Sequence, residues 1–201
     1  MVSLHGGGPT LRLFLAGVLP AELQADVFHA ISAARRAATQ ARWVRPGQLH
    51  LTVAFFGETE DGDVPPLREA LGEVAKRHHG LRFELRGAGC FGRPHQPEVL
   101  FAELQGDVEG LRALVADVQK ATAALCPPPK EKRGHAFRPH LTLARAKGRH
   151  GDAALSRCLR ALKELPFGAF SLERLVLFHS ELTSGGPVHT PLADFALAAG
   201  G

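Results

Sequence analysis

His50-Leu51-Thr52-Val53 and His140-Leu141-Thr142-Leu143 are two copies of one tetrapeptide, His-x-Thr-x, each in an apolar, β-branched setting. Such a setting predicts a strand, and side chains on a strand alternate between its two faces. His50 and Thr52 therefore share one face, and Leu51 and Val53 share the other. His140 and Thr142 stand against Leu141 and Leu143 in the same way. Each copy is thus a buried apolar face backing an exposed imidazole and hydroxyl.

Working outward, residues 11–18 read as a first strand. Pro20 opens a helical pattern that sets Leu23, Val27, Ile31 and Ala34 on one face. Residues 42–44 and 48–56 read as strands across the turn signal Pro46-Gly47, and 57–66 as a polar loop. A helix with Leu67, Leu71, Val74 and Ala75 inward leads to strands over 81–91 and 99–104. The order then recurs. A helix over 107–125 precedes a Pro-rich basic loop, the second motif strand over 137–145 and a helix over 153–165. One long strand over 167–182 and a last strand over 188–197 follow. Helices alternate with pairs of strands rather than with single ones. That pattern predicts an α+β fold with antiparallel sheet, not a doubly wound one. The motifs lie 140 − 50 = 90 residues apart, close to half of the 201-residue chain. The expectation is one domain over 1–201 with a loose tail over 1–9. Its two pseudo-symmetric lobes, each an antiparallel sheet with outer helices, set the His/Thr faces on the walls of a central cleft.

The hydrophobic fraction of 45% and charged fraction of 22% are those of a soluble globular protein. The net charge of +4 permits an anionic partner without requiring one. Its distribution is more informative. Lys130, Lys132, Arg133, Arg138, Arg145, Lys147 and Arg149 surround the second motif, with Glu131 as the sole acid among them. The three cysteines, Cys90, Cys126 and Cys158, are widely spaced and lack a Cys-x-x-Cys pattern, so neither a disulfide framework nor a zinc site is indicated. A reducing cytoplasm is expected. No apolar run approaches the ~18 residues of a membrane span. The apolar segment 11–19 lacks a basic leader region and carries Arg12, so it reads as a strand rather than a signal peptide.

The chain has 11 histidines, and only two sit in this motif. No His-x-His or His-x-x-x-His spacing occurs and no acid flanks either motif, which disfavours a metal site. Two imidazoles with ordinary pKa near 6.5 can instead hold opposite protonation states near neutral pH. They can then act as acid and base on opposite sides of one substrate, which is the chemistry a phosphodiester needs.

On these residues the chain resembles the 2H phosphoesterase family, and within it the RNA 2′,3′-cyclic phosphodiesterases, also called 2′-5′ RNA ligase-like proteins. The resemblance runs through Arg12-Leu13-Phe14-Leu15-Ala16, through 49–57 and 137–145 around the motifs, and into the segment from Leu177 to Leu197. It implies two lobes related by a pseudo-twofold axis. It also implies opening of RNA 2′,3′-cyclic phosphate ends to 2′-phosphomonoesters with no metal and no cofactor. It assigns His50 as proton donor to the departing 3′-oxygen and His140 as proton acceptor from the attacking water. The family commonly has a tyrosine where His189 stands, and this chain contains no tyrosine.

Thr52 and Thr142, on the histidine faces, are positioned to hydrogen-bond the non-bridging oxygens where charge develops. Arg145 is a candidate phosphate ligand, although regular alternation from His140 puts it on the opposite face unless the strand ends there. Phe137 is a candidate for stacking on a base. Phe55 and Phe56 are assigned to the core. The expected partner is an RNA or oligonucleotide with a 2′,3′-cyclic phosphate end, the expected state a monomer. The competing reading is a non-catalytic nucleotide- or RNA-binding module in the same cleft. Ligation of 2′-5′ RNA ends, the reverse reaction, ranks below hydrolysis because phosphodiester formation in water is uphill.

Overall fold

The chain was analysed as a computed structural model that describes residues 8–45, 47–126, 137–148, 151–184 and 186–199. The elements in chain order are β1 (Thr10–Val18), α1 (Ala21–Ala30), α2 (Ser32–Ala37), β2 (Arg42–Trp43) and β3 (His50–Glu60). A 3₁₀ turn (Asp61–Asp63), α3 (Val64–Ala75), β4 (Leu81–Arg93), β5 (Gln96–Gly106) and α4 (Val108–Thr122) follow. The last are β6 (Leu141–Arg145), α5 (Ala153–Ala161), β7 (Pro166–Leu172), β8 (Arg174–Thr183) and β9 (Gly186–Ala196). The expected α+β class holds. Of the expected tail, residues 1–7 lie outside the described residues, as does most of the basic loop before the second motif.

All strand pairings are antiparallel, in the order β7-β4-β5-β6-β3-β1-β8-β9, with β2 added against β6. The order is symmetric about its centre. β6 and β3 lie innermost, β5 and β1 come next, then β4 and β8, and β7 and β9 form the edges. The two His-x-Thr-x strands are therefore the central neighbours of the sheet. Among the described residues the single pair Leu51↔Leu141 joins them.

The two halves of the sheet are not the two halves of the chain. One half takes β1 and β3 from the N-terminal part and β8 and β9 from the end. The other half takes β4 to β7 from the middle. The long strand expected over 167–182 is accordingly two strands. β7 ends at Leu172 on one edge of the sheet, and after Glu173 alone the chain enters β8 in the opposite half. Phe167, Phe170, Leu172, Leu175 and Leu177 are all buried, so local hydropathy carries no mark of the change of partner.

That crossing is short because the sheet curls. Gly17 on β1 faces Leu172 on β7, and a Cβ at position 17 would run into that leucine. Backbone bonds close the curl: Leu197 N–H donates to the Glu173 carbonyl at 2.8 Å, and Ala198 N–H to that of His78 at 2.8 Å. The apolar layer behind the sheet merges with the helices into one cluster that includes Leu13, Leu51, Leu71, Leu114, Leu141 and Leu155. On one side α1 packs on β7 and α5 on β4 and β5. On the other, α3 packs on β8 and β9 and against α4. The helix expected from Pro20 keeps Leu23, Val27, Ile31 and Ala34 buried as read, but breaks at Ile31 into α1 and α2.

Leu51 and Leu141 have no solvent exposure. Replacing either by alanine is expected to cost about 2–5 kcal/mol, the range for a fully buried leucine. Because they face each other, the double variant should lose less than the sum, with coupling of about 0.5–3 kcal/mol in denaturant unfolding. Strict additivity would show that the two lobes do not depend on this contact.

Candidate active site

Along β3 the alternation is as expected, with Leu51 and Val53 buried while His50 and Thr52 remain half-buried. Across the sheet Leu141 and Leu143 are buried while His140 and Thr142 are half-buried. One step either way from Leu51↔Leu141, an antiparallel register sets His50 beside Thr142 and Thr52 beside His140. The two motifs are thus crossed, and each imidazole has the other motif's hydroxyl as its cross-strand neighbour. A cavity of about 480 Å³ opens over this face. His50, Thr52, Thr142 and Arg145 are among the described residues that line it, and no carboxylate is. Among the described residues neither threonine hydroxyl is taken by another protein group.

Both imidazoles are held by the same contact. His50 Nδ1 lies 2.8 Å from the Gln48 carbonyl, and His140 Nδ1 lies 2.9 Å from that of Arg138. A carbonyl only accepts, so Nδ1 carries the proton in each ring, and Nε2 is left to gain or lose one. Each ring also rests on phenylalanines of its own half of the sheet. His50 lies 5.1 Å from Phe14 of β1, between ring centroids. His140 lies 5.4 Å from Phe101 of β5 and 4.8 Å from Phe91 of β4. These contacts fix the orientation of each ring.

Burial and nearby cations set the charge state of His50. The pKa of His50 is lowered from 6.5 to about 4, chiefly by burial. The Gln48 carbonyl opposes the shift, and His189, Arg145 and His140 add to it. His189, on β9, is a third imidazole in the cavity wall, edge-on to His50 at 5.6 Å and to Phe14 at 4.9 Å. Burial lowers its pKa as well. Its Nδ1 is buried without a partner among the described residues, so the favoured tautomer leaves that nitrogen bare and puts the proton on Nε2.

Two expectations change for one reason. Arg145 does line the cavity with Thr142, because β6 carries a bulge: Leu100 pairs with Ala144 and Phe101 with Thr142, so Leu143 is the extra residue. Leu143 and Ala144 both point inward, and Arg145 returns to the histidine face. Burial against the wall pulls its pKa below the ordinary arginine value, although the residue keeps solvent contact. On β3, register shifts against β1 skip Val53 and Phe56. Phe55, assigned to the core from burial statistics, is therefore 42% exposed and lines the cavity, while Phe56 is buried as read. Phe137 packs against the core and lies outside the cavity lining. Arg12, Gln48 and Ser180 are wall residues that motif reading missed. Arg12 alternates in phase with Phe14, which touches His50, so its face could have been read once β1 was known to neighbour β3.

Among the described residues no group of three or more His, Cys, Asp or Glu is placed to hold a metal ion, and no helix is long and apolar enough to cross a membrane.

A curled antiparallel sheet with two crossed His/Thr pairs at its centre is the architecture of the two-histidine phosphoesterases. A family model for the 2′-5′ RNA ligase superfamily matches residues 19–183. The chain belongs to that superfamily. It is 34% identical over 194 residues to the RNA 2′,3′-cyclic phosphodiesterase of Thermus thermophilus, covering 93% of this chain and 90% of the relative. The protein of the same name from Aeropyrum pernix is 30% identical over 158 residues, 79% of this chain and 87% of the relative. Among solved structures, TT0787 of Thermus thermophilus superposes with a TM-score of 0.77 at 31% identity, covering 94% of this chain and 99% of that one. E. coli LigT complexed with 3′-AMP gives 0.73 at 25% identity, covering 94% and 99%.

The depressed His50 pKa has a consequence for stability. In the unfolded chain His50 titrates near 6.5, in the folded one near 4. Between those values the unfolded chain binds more protons, so this stabilising difference is present above pH 6.5 and is lost as pH falls toward 4. The lowered pKa of His189 acts in the same direction. The melting temperature should therefore fall on acidification through that window, and fall less in His50→Asn. An equal fall in both proteins would show that His50 is not buried in this way.

Proposed function

We propose that this chain hydrolyses the 2′,3′-cyclic phosphate end of RNA to a 2′-phosphomonoester, with His50 and His140 as the acid–base pair. The observation that carries the reading is the crossed pair of imidazoles with matching Nδ1–carbonyl bonds beside a cavity whose described lining is free of carboxylates. The names borne by the relatives support it.

Opening the ring requires water to attack phosphorus as the 3′-oxygen departs in line. His140 takes the proton from water at Nε2, and His50 delivers one from Nε2 to the 3′-oxygen. Free His50 is mostly neutral at pH 7, because burial and its cationic neighbours disfavour its charge. An anionic phosphodiester beside it offsets the Arg145 charge. His50 then takes up a proton together with the substrate. Thr52 and Thr142 donate to the non-bridging oxygens, and Arg145 balances the charge that develops there. Phe55 offers an apolar surface at the rim for the terminal base.

His50→Ala and His140→Ala should each lower kcat on a 2′,3′-cyclic phosphate substrate by ~10²–10⁴-fold, the usual contribution of a positioned acid or base. A substrate with sulfur in place of the departing 3′-oxygen separates their roles, since a thiolate leaves without a proton. It should restore turnover in His50→Ala and not in His140→Ala. Rescue of the other variant would exchange donor and acceptor. Tight binding of the cyclic end by the unaltered protein with no 2′-phosphate product would make the chain a binding module instead.

A further inference from the structure

Beside the active-site cavity lies a side cavity, and beyond that a shallow groove. The side cavity, of about 260 Å³, shares Phe14, Gln48, His50, Pro187 and His189 with the active-site cavity. Arg45 also lines that side cavity, and the same Arg45 lines a shallow groove of about 590 Å³ with Arg35, Arg36 and Trp43. Among the described residues Arg45 alone is common to the side cavity and the groove, and so links the His50 side of β2 to its α2 side round the edge of the sheet. The wall there is built from three consecutive residues, with Trp43 facing the groove, Val44 the main cavity, and Arg45 the side cavity and groove.

The wall is anchored to the catalytic centre. Val44 N–H donates to the Leu143 carbonyl at 2.9 Å, and β2 pairs with β6 through Arg42↔Arg145 and Trp43↔Ala144. Gln48 Nε2 donates to the Pro187 carbonyl at 2.9 Å, which ties the wall to β9, and the Gly47 N–H donates to Gln24 Oε1 at 3.1 Å. The indole Nε1–H of Trp43 is bound to the Ala38 carbonyl at 2.9 Å, which fixes the ring in the groove.

Among the described residues no aspartate or glutamate lines any of these three depressions. Arg35 and Arg36 are exposed on α2 and form no ion pair among the described residues. Arg35 stacks on Phe28, 5.7 Å from its centroid. A groove that gathers arginines and a fixed aromatic ring, with no acid in its described lining, matches a single-stranded nucleic acid. Phosphates meet the cations, and any base can lie on the ring.

Building on the function proposed above, we infer that the groove of Arg35, Arg36, Trp43 and Arg45 carries the RNA body on the 5′ side of the cyclic end. The terminal nucleotide occupies the main cavity, the preceding one the side cavity, and Arg45, Arg36 and Arg35 take successive phosphates. The protein thereby discriminates RNA ends from free cyclic mononucleotides by strand length rather than by base sequence.

Binding tests this without reliance on turnover. The fluorescence anisotropy of RNAs that end in a 2′-phosphate, a dinucleotide and a decamer, is measured across a salt series. The decamer should bind at least about tenfold more tightly at low salt, with a log–log salt slope steeper by ~0.7 for each added phosphate contact. Arg35→Glu/Arg36→Glu should remove that advantage and flatten the slope by about 1.4, while dinucleotide affinity and hydrolysis of a 2′,3′-cyclic mononucleotide stay unchanged. Arg36→Glu alone, which spares the stack on Phe28, should give part of the effect. Equal affinity for the two lengths, or a decamer advantage that survives the double reversal, overturns the groove assignment. Failure of mononucleotide hydrolysis with the length effect intact overturns the catalytic reading and leaves the groove standing.

Discussion

One apolar contact between two strands organises this molecule. Among the described residues Leu51 and Leu141 are the only pair joining β3 to β6, and both are fully buried. Through them the two halves of the sheet become one surface and the two motifs become neighbours. Since faces alternate along a strand, burying these leucines on one side sets both histidines and both threonines on the other. A slip of the register by one residue would turn every functional side chain inward and expose the core leucines. The hydrophobic layer therefore holds the register of the two motifs as well as the fold.

The chemistry of that cavity follows from what its wall is made of. The described lining holds no carboxylate, and the imidazoles lie against phenylalanine rings and backbone carbonyls. Such a site is tuned by burial and by neighbouring positive charge, both of which act on His50. The cavity therefore disfavours a further cation and favours an anion. His189 adds a neutral imidazole edge-on to His50, with one nitrogen shut away from any partner. Where the family commonly carries a phenol, this chain places a ring that can donate from Nε2 but has a different reach and pKa.

Much of the site was legible in the two tetrapeptides. Alternation assigned His50, Thr52, His140 and Thr142 to one side and their leucine and valine neighbours to the other, and burial follows that assignment. The same alternation failed two residues beyond the second motif. It left Arg145 on the wrong face, and burial statistics left Phe55 in the core, because β6 holds one extra residue and β3 two that reset the phase. A bulge arises from how one strand matches its partner. Neither strand's own hydropathy records it. The same limit explains why residues 167–182 read as one strand. Phe170, Leu172, Leu175 and Leu177 are buried on both sides of a crossing made within a single residue.

By itself the sequence determined which residue types stand back to back on two strands, that strands come in antiparallel pairs, and that paired imidazoles without nearby acids suit proton transfer about phosphorus. Those properties reside in side-chain identity and in the period of two. Tertiary structure alone decided which strands became neighbours, that one half of the sheet draws on both ends of the chain, and that Arg145, Arg12, Phe55 and His189 converge on His50. It also joined Arg45 and the α2 arginines in a groove of their own. Those outcomes depend on register, curl and long-range pairing, which are set by the packing of one element against another rather than by any segment alone.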